Sequence, residues 1–121
     1  MEASYDYEES VVLVTGVSGA LGGAIAEAFD AAGATVCGAD IVAPDDEDAL
    51  VDPAAVEFLG TVRANAVMPS VIDTPMNREM MPDADHDEWV DPADIADVVL
   101  FLCSSEAGVT SGAAVPAYGE A

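Results

Sequence analysis

No lysine occurs among the 121 residues, and arginine appears only at Arg63 and Arg78, against 24 aspartates and glutamates, for a net charge of −22. A surface of that sign repels phosphate backbones, which demand a basic footprint, so nucleic acid is excluded as a partner. Histidine occurs once, as His86 between Asp85 and Asp87. A metal centre needs further ligands at chelating spacing, so no metal is assigned and His86 is expected to be solvated. The two cysteines, Cys37 and Cys103, read as reduced core residues rather than a disulfide framework. No long apolar run is free of glycine, serine or charge, which excludes a bilayer-spanning helix. The first 62 residues hold no Lys or Arg, hence no charged segment of a secretory signal. A cytoplasmic location is expected.

What is present is largely apolar: 52% of residues are hydrophobic, so the acidity does not signal disorder. The length fits one domain with a core under an acidic shell. Repulsion among so many carboxylates destabilises the compact state in dilute buffer, and salt relieves it, because the Debye length falls to about 3 Å near 1 M. The composition therefore predicts a halophilic source.

The organising stretch covers residues 11–40, VVLVTGVSGALGGAIAEAFDAAGATVCGAD. Val11, Val12, Leu13 and Val14 form an unbroken apolar run suited to a strand buried on both faces of a parallel sheet. A turn with Gly16, Gly19, Gly22 and Gly23 follows. The next residues take a helical period that puts Leu21, Ile25, Ala28 and Phe29 on one face, with Gly33 placed for a left-handed C-terminal cap. A second strand over residues 35–39 ends at Asp40. Strand, glycine turn, helix, strand and acid follow the order a dinucleotide site needs. The turn brings a pyrophosphate against free N–H groups at the helix N-terminus, where the dipole favours negative charge. Asp40 stands eighteen positions after Gly22, where a carboxylate accepts from ribose hydroxyls and repels a 2′-phosphate, so NAD is expected over NADP.

The spacing Thr15-Gly16-Val17-Ser18-Gly19-Ala20-Leu21-Gly22 resembles the T-G-x-x-x-[A/G]-x-G turn of the short-chain dehydrogenase/reductase family. Residues 62–76, V-R-A-N-A-V-M-P-S-V-I-D-T-P-M, are similar to that family's late strand and loop, V-N-x-[I/V]-x-P-G-x-[I/V]-x-T, with Ser70 in place of the glycine. Residues 112–119 resemble its final strand. The resemblance implies an α/β, Rossmann-like three-layer αβα fold with a reduced, mostly parallel sheet of about five strands, in the order 3-2-1-6-7. It implies cofactor contacts from Thr15, Gly16, Ser18, Gly19, Ala20, Leu21 and Gly22 at the phosphates and from Asp40 at the ribose. Pro69, Ile72 and Thr74 would serve the nicotinamide, Ile72 offering backbone groups and Thr74 its hydroxyl to the carboxamide.

Residues 1–10 are expected as an acidic tail along the surface and residues 11–121 as a single shortened domain. Residues 43–48 read as a solvated acidic loop, residues 56–59 as a short third strand and residues 62–67 as a late strand. A Met-rich, acid-rich loop should run from there to Trp89. Residues 91–104 read as a helix with Asp91 as N-cap, Pro92 at N1 and Asp94 at N3, burying Ile95, Val98, Val99 and Leu102.

The family's middle strands, with the N-A-G segment, the catalytic serine and the Tyr-x-x-x-Lys pair, have no counterpart in these residues. In the family that tyrosine exchanges a proton with the substrate oxygen and the lysine lowers its pKa. Here Tyr5, Tyr7 and Tyr118 are not followed by a cation four residues on, and no catalytic residue is assigned. The resemblance thus implies an NAD(H)-binding protein without turnover as a single chain. Two alternatives stay open: an oxidoreductase completed by a partner chain, and a non-catalytic remnant serving structure or interaction. Either the late strand closes the sheet edge left by the missing strands or a second subunit covers it; closure with an accompanying homodimer is expected, because helices on both faces must also be replaced.

Overall fold

The computed structural model describes residues 2–39 and 63–119. The reading of residues 11–121 as one domain meets a chain whose contacts gather into two compact units, Met1–Val62 and Arg63–Ala121. Asp40, the acidic loop at 43–48 and the third strand at 56–59 lie outside the described residues.

The first unit is a β-α-β run. Strand β1 (Val11–Thr15) leads through the glycine turn into helix α1 (Ala20–Ala31), which returns to strand β2 (Thr35–Ala39). β1 and β2 pair in parallel, Val11 opposite Thr35 and Thr15 opposite Ala39. Gly33 takes φ +91°, and its N–H donates to Asp30 O at 2.9 Å while Ala34 N–H donates to Phe29 O at 3.0 Å. These are the two bonds of a Schellman cap, which turn the chain out of α1 and straight into β2. Phe29, Cys37, Val14, Ala34 and Tyr7 form the core.

Two expectations are refined here. The expected acidic tail keeps most of residues 2–10 at the surface but is pinned at Tyr7. Tyr7 is buried with its ring edge-on to Phe29, centroids 5.0 Å apart, and Thr35 N–H donates to Ser10 O at 2.9 Å. Among the described residues the Tyr7 ring packs on Phe29 and helps to cover it. β1 is not buried on both faces: Val14 points inward, while Val11 and Leu13 are 45% and 51% exposed. Among the described residues α1 packs against the β1–β2 pair, and β1 shows the two-residue alternation of a half-buried strand.

In the second unit, strand β3 (Ala66–Pro69) pairs in parallel with strand β4 (Ala114–Ala117), Ala66 opposite Ala114. Between them come helix α2 (Pro75–Met80), a 3-10 turn (His86–Glu88), helix α3 (Pro92–Cys103) and a second 3-10 turn (Ser105–Ala107). α3 begins as its sequence requires, with Asp91 Oδ1 accepting from Ala93 N–H at 2.8 Å and Pro92 at the first position. Its buried residues are Ile95, Ala96, Leu100 and Leu102, so the inward face lies a little round from the one expected, and Val98 and Val99 are only half-buried. β3 begins at Ala66 rather than at 62, because Arg63 and Asn65 direct their side chains to the chain around residues 102–113.

The two strand pairs correspond to the 2-1 and 6-7 neighbours of the expected order, and each stands as a two-stranded sheet among the described residues. No helix of the described residues is long and apolar enough to cross a membrane.

Candidate functional site

In the first unit, β1 ends at Thr15 and the chain turns at Gly16, whose φ of +70° is a left-handed conformation that side chains with a Cβ rarely adopt. The Gly16 carbonyl accepts from Gly19 N–H at 3.0 Å, closing the turn. Gly22, one turn into α1, faces that same carbonyl, and a Cβ on it would overlap the Gly16 backbone. Gly19 is the N-cap and offers no side-chain cap. The N–H groups of Ala20, Leu21 and Gly22 therefore have no partner among the described residues. They point out of the helix end as open donors.

Charge placement agrees. No acid stands in the first turn of α1, although the chain holds 24 acids; the helix's own acids, Glu27 and Asp30, lie toward its other end. In α3 the same position carries Asp91 and Asp94. The N-terminus of α1 is thus left positive and uncapped, which suits an anion. The structure brings Thr15, Gly16, Ser18, Gly19, Ala20, Leu21 and Gly22 together in this turn; Asp40 lies outside the described residues.

In the second unit, Pro69 closes β3, and Ser70 fits where the family pattern has glycine. No described residue other than glycine has a positive φ, and Ser70 Oγ donates to Tyr118 O at 2.9 Å. Ile72 forms a parallel bridge with Val90, framed by Val90 N–H to Val71 O at 3.0 Å and Asp73 N–H to Val90 O at 2.8 Å. Its carbonyl accepts from Asn77 Nδ2 at 2.8 Å, and its N–H has no partner among the described residues. Thr74 is the N-cap of α2, its Oγ1 accepting from Asn77 N–H at 3.1 Å. That bond uses an oxygen lone pair and leaves the hydroxyl proton free to donate.

Asp73 and Arg78 form a two-pronged pair, Nε to Oδ1 at 2.5 Å and Nη2 to Oδ2 at 2.7 Å. The guanidinium hydrogen bond, with its charge in support, holds the Asp73 carboxyl below the ordinary value of 3.8 and raises Arg78 in turn.

Several placed residues escaped the sequence reading. Arg63 Nη1 donates to the carbonyls of Leu102, Ala107 and Thr110 at 2.9, 3.0 and 3.1 Å, and Nη2 to Ser104 O at 3.3 Å. Asn65 bridges Thr110 O and Ala113 N–H. His86 donates from Nε2 to Met81 O at 2.8 Å in an exposed bond, and its ring centroid lies 4.4 Å from that of Trp89. The six-residue helix α2 lay inside the expected loop; Thr74-Pro75, a capping residue followed by proline at the first helical position, was its signal.

A family model described as "Enoyl-(Acyl carrier protein) reductase" matches residues 48–119. The mouse and rat proteins named (3R)-3-hydroxyacyl-CoA dehydrogenase are each 39% identical over 67 residues, covering 48% of this chain. The chain spans only 26% of the length of these relatives. Among solved structures, a putative 2-deoxy-D-gluconate 3-dehydrogenase of Agrobacterium tumefaciens with bound NADP matches with a TM-score of 0.74 at 16% identity, covering 98% of both chains. The ligand-free aldohexose dehydrogenase of Thermoplasma acidophilum gives 0.72 at 16%, covering 96% of this chain and 94% of its own. A short-chain dehydrogenase/reductase of Brucella melitensis gives 0.70 at 15%, covering 98% of both. At such identities these structures carry the fold alone, which is the Rossmann-type α/β fold expected. Since the family model extends over more than half of the chain, this protein belongs to the short-chain dehydrogenase/reductase family.

Proposed function

We propose that the chain binds a nicotinamide dinucleotide and does not turn over substrate by itself. The observation that carries this reading is the uncapped, acid-free N-terminus of α1 behind Gly16, three open N–H donors on a chain otherwise crowded with carboxylates. Pyrophosphate is the anion such a turn accommodates in this family. By resemblance to the family, the Ile72 N–H and the Thr74 hydroxyl are the donors for a carboxamide. One structural relative holds NADP. For this chain the acid at Asp40 favours NAD, because a 2′-phosphate beside it would meet like charge. The absence of turnover rests on chemistry: proton transfer in the family uses a tyrosine tuned by a lysine, and these 121 residues contain no lysine.

Titration calorimetry with NAD at molar KCl tests the reading. Binding heat with a rise in thermal midpoint is expected, together with no hydride transfer by the chain alone. Neither heat nor thermal shift at millimolar NAD would discard it. Gly16→Ala separates binding from mere fold maintenance. A Cβ at Gly16 meets nothing within 4 Å, so the folding cost is confined to the left-handed backbone, about 1–2 kcal/mol. A loss of NAD affinity larger than that cost is expected.

A further inference from the structure

We propose that a cavity lined by Trp89 binds a small organic ammonium ion, its apolar body packed on the indole and its charged head among the carboxylates of Asp87, Glu88 and Asp94. This site shares no residue with the glycine turn or with residues 69–74, so it is independent of dinucleotide binding.

The cavity lies wholly within the second unit, where the 3-10 turn at His86–Glu88, the first half of α3 and the end of β4 meet, and its volume is about 360 Å³. Small-molecule sites span roughly 300–1,000 Å³. Its floor is apolar: Val90 and Ile95 are 5% and 2% exposed, and Val98 is half-buried. Ile95 and Val98 stand three positions apart on α3, which puts them on one face of the helix. The indole of Trp89 is half-buried and steadied by the His86 ring, with centroids 4.4 Å apart. Gly119 lines the cavity as well, and a Cβ there would press on Val90 Cγ2 at 3.1 Å, so the missing side chain keeps the space open.

The charged residues of the lining, Asp87, Glu88 and Asp94, are exposed carboxylates and form its rim. Among the described residues none of the three has an ion pair or a hydrogen bond to its side chain. Arg78, whose charge reaches Asp87, is itself held by Asp73. The apolar floor gives nothing to a hydrated metal ion, which would keep its water at the rim, and the carboxylates repel an anion. A molecule with an apolar body and a cationic head satisfies both parts. Its body leaves water against Ile95 and Val98, the indole attracts the cation, and the carboxylates accept from the ammonium N–H groups. Acids scattered over the rest of the surface offer the charge without the floor.

Trp89 is the only tryptophan of the chain, so its fluorescence reports on the cavity directly. The full chain is titrated in molar KCl with 2-phenylethylammonium and with 2-phenylethanol, which has the same body and a neutral head. Salt at that strength screens the chain's overall charge, with a Debye length of about 3 Å, and leaves direct contacts. Saturable binding of the ammonium ion at least about tenfold tighter than the alcohol is expected, the worth of one charge-assisted hydrogen bond. Glu88→Gln combined with Asp94→Asn should bring the two affinities within about twofold of each other. Val98→Phe, which fills the floor, should weaken both ligands at least about tenfold, with Val98→Met in its place if the bulkier variant does not fold. Equal wild-type affinities, no response to either ligand, or a preference untouched by the double variant overturns the proposal. So does ammonium binding that is unchanged in the folded Val98 variant, which would put the ion on the acidic surface instead.

Discussion

Arg63 is held by four backbone carbonyls, three of them on one nitrogen. Those carbonyls belong to the end of α3, the 3-10 turn and the loop after it, so one guanidinium gathers three pieces of chain. Hydrogen bonds to a charged group contribute about 1.5–3 kcal/mol each, and the set is not additive. Arg63→Ala should therefore cost roughly 3 kcal/mol of the second unit's stability in urea unfolding, and Arg63→Lys most of that, because an ammonium lacks the planar fork. At the exposed Asp73–Arg78 pair the effect is one of pH instead. The folded Asp73 carboxyl titrates below its ordinary value of 3.8, so the stabilisation is present above that value and lost as pH falls through the lower, folded one. Both side chains face solvent, which keeps the contribution small. In Arg78→Gln the Asp73 carboxyl should titrate in the ordinary range by carbon-detected NMR; an unmoved titration would mean that the guanidinium is not what lowers it.

At the level of elements, what could be read from sequence was what local chemistry decides. The βαβ start follows from Val11 to Val14, the glycine turn and Gly33, and α3 follows from Asp91-Pro92 and its apolar period. What escaped was decided by partners far along the chain. Asn65 and Arg63 belong to an apparent strand, but their side chains are claimed by carbonyls more than 35 residues on, which delays β3 to Ala66. Tyr7 sat in an acidic stretch with no period of its own, and the ring of Phe29 and the carbonyl of Ala32 give it a place. Of the candidate site, the glycine turn was legible whole, since spacing alone fixes it. That Asn77 turns inward from α2 was not, because nothing in T-P-M-N-R tells which of five residues does so. Tyr7→Ala should lower the stability of the first unit by about 3 kcal/mol. Loss of protection at the Phe29 and Cys37 amides in hydrogen exchange would show it, and unchanged protection would return Tyr7 to the surface.

For the whole molecule, charge is the governing quantity. With a net charge of −22 and no lysine, compaction works against repulsion that only counter-ions relieve. The thermal midpoint should climb from dilute buffer to molar KCl, and a flat profile would end the halophilic reading. The outward face of β1, with Val11 and Leu13 about half exposed, is what a homodimer would cover. Light scattering at molar KCl should give twice the chain mass, and Leu13→Glu should return it to one.

Arg63 has one more consequence, in time rather than in space. It is the first fixed cation in the sequence, preceded by 62 residues without one, and the last of its acceptors, Thr110, follows 47 positions later. During synthesis the guanidinium leaves the ribosome well ahead of every carbonyl it will meet. The set of four bonds therefore cannot be complete during synthesis until Thr110 has emerged.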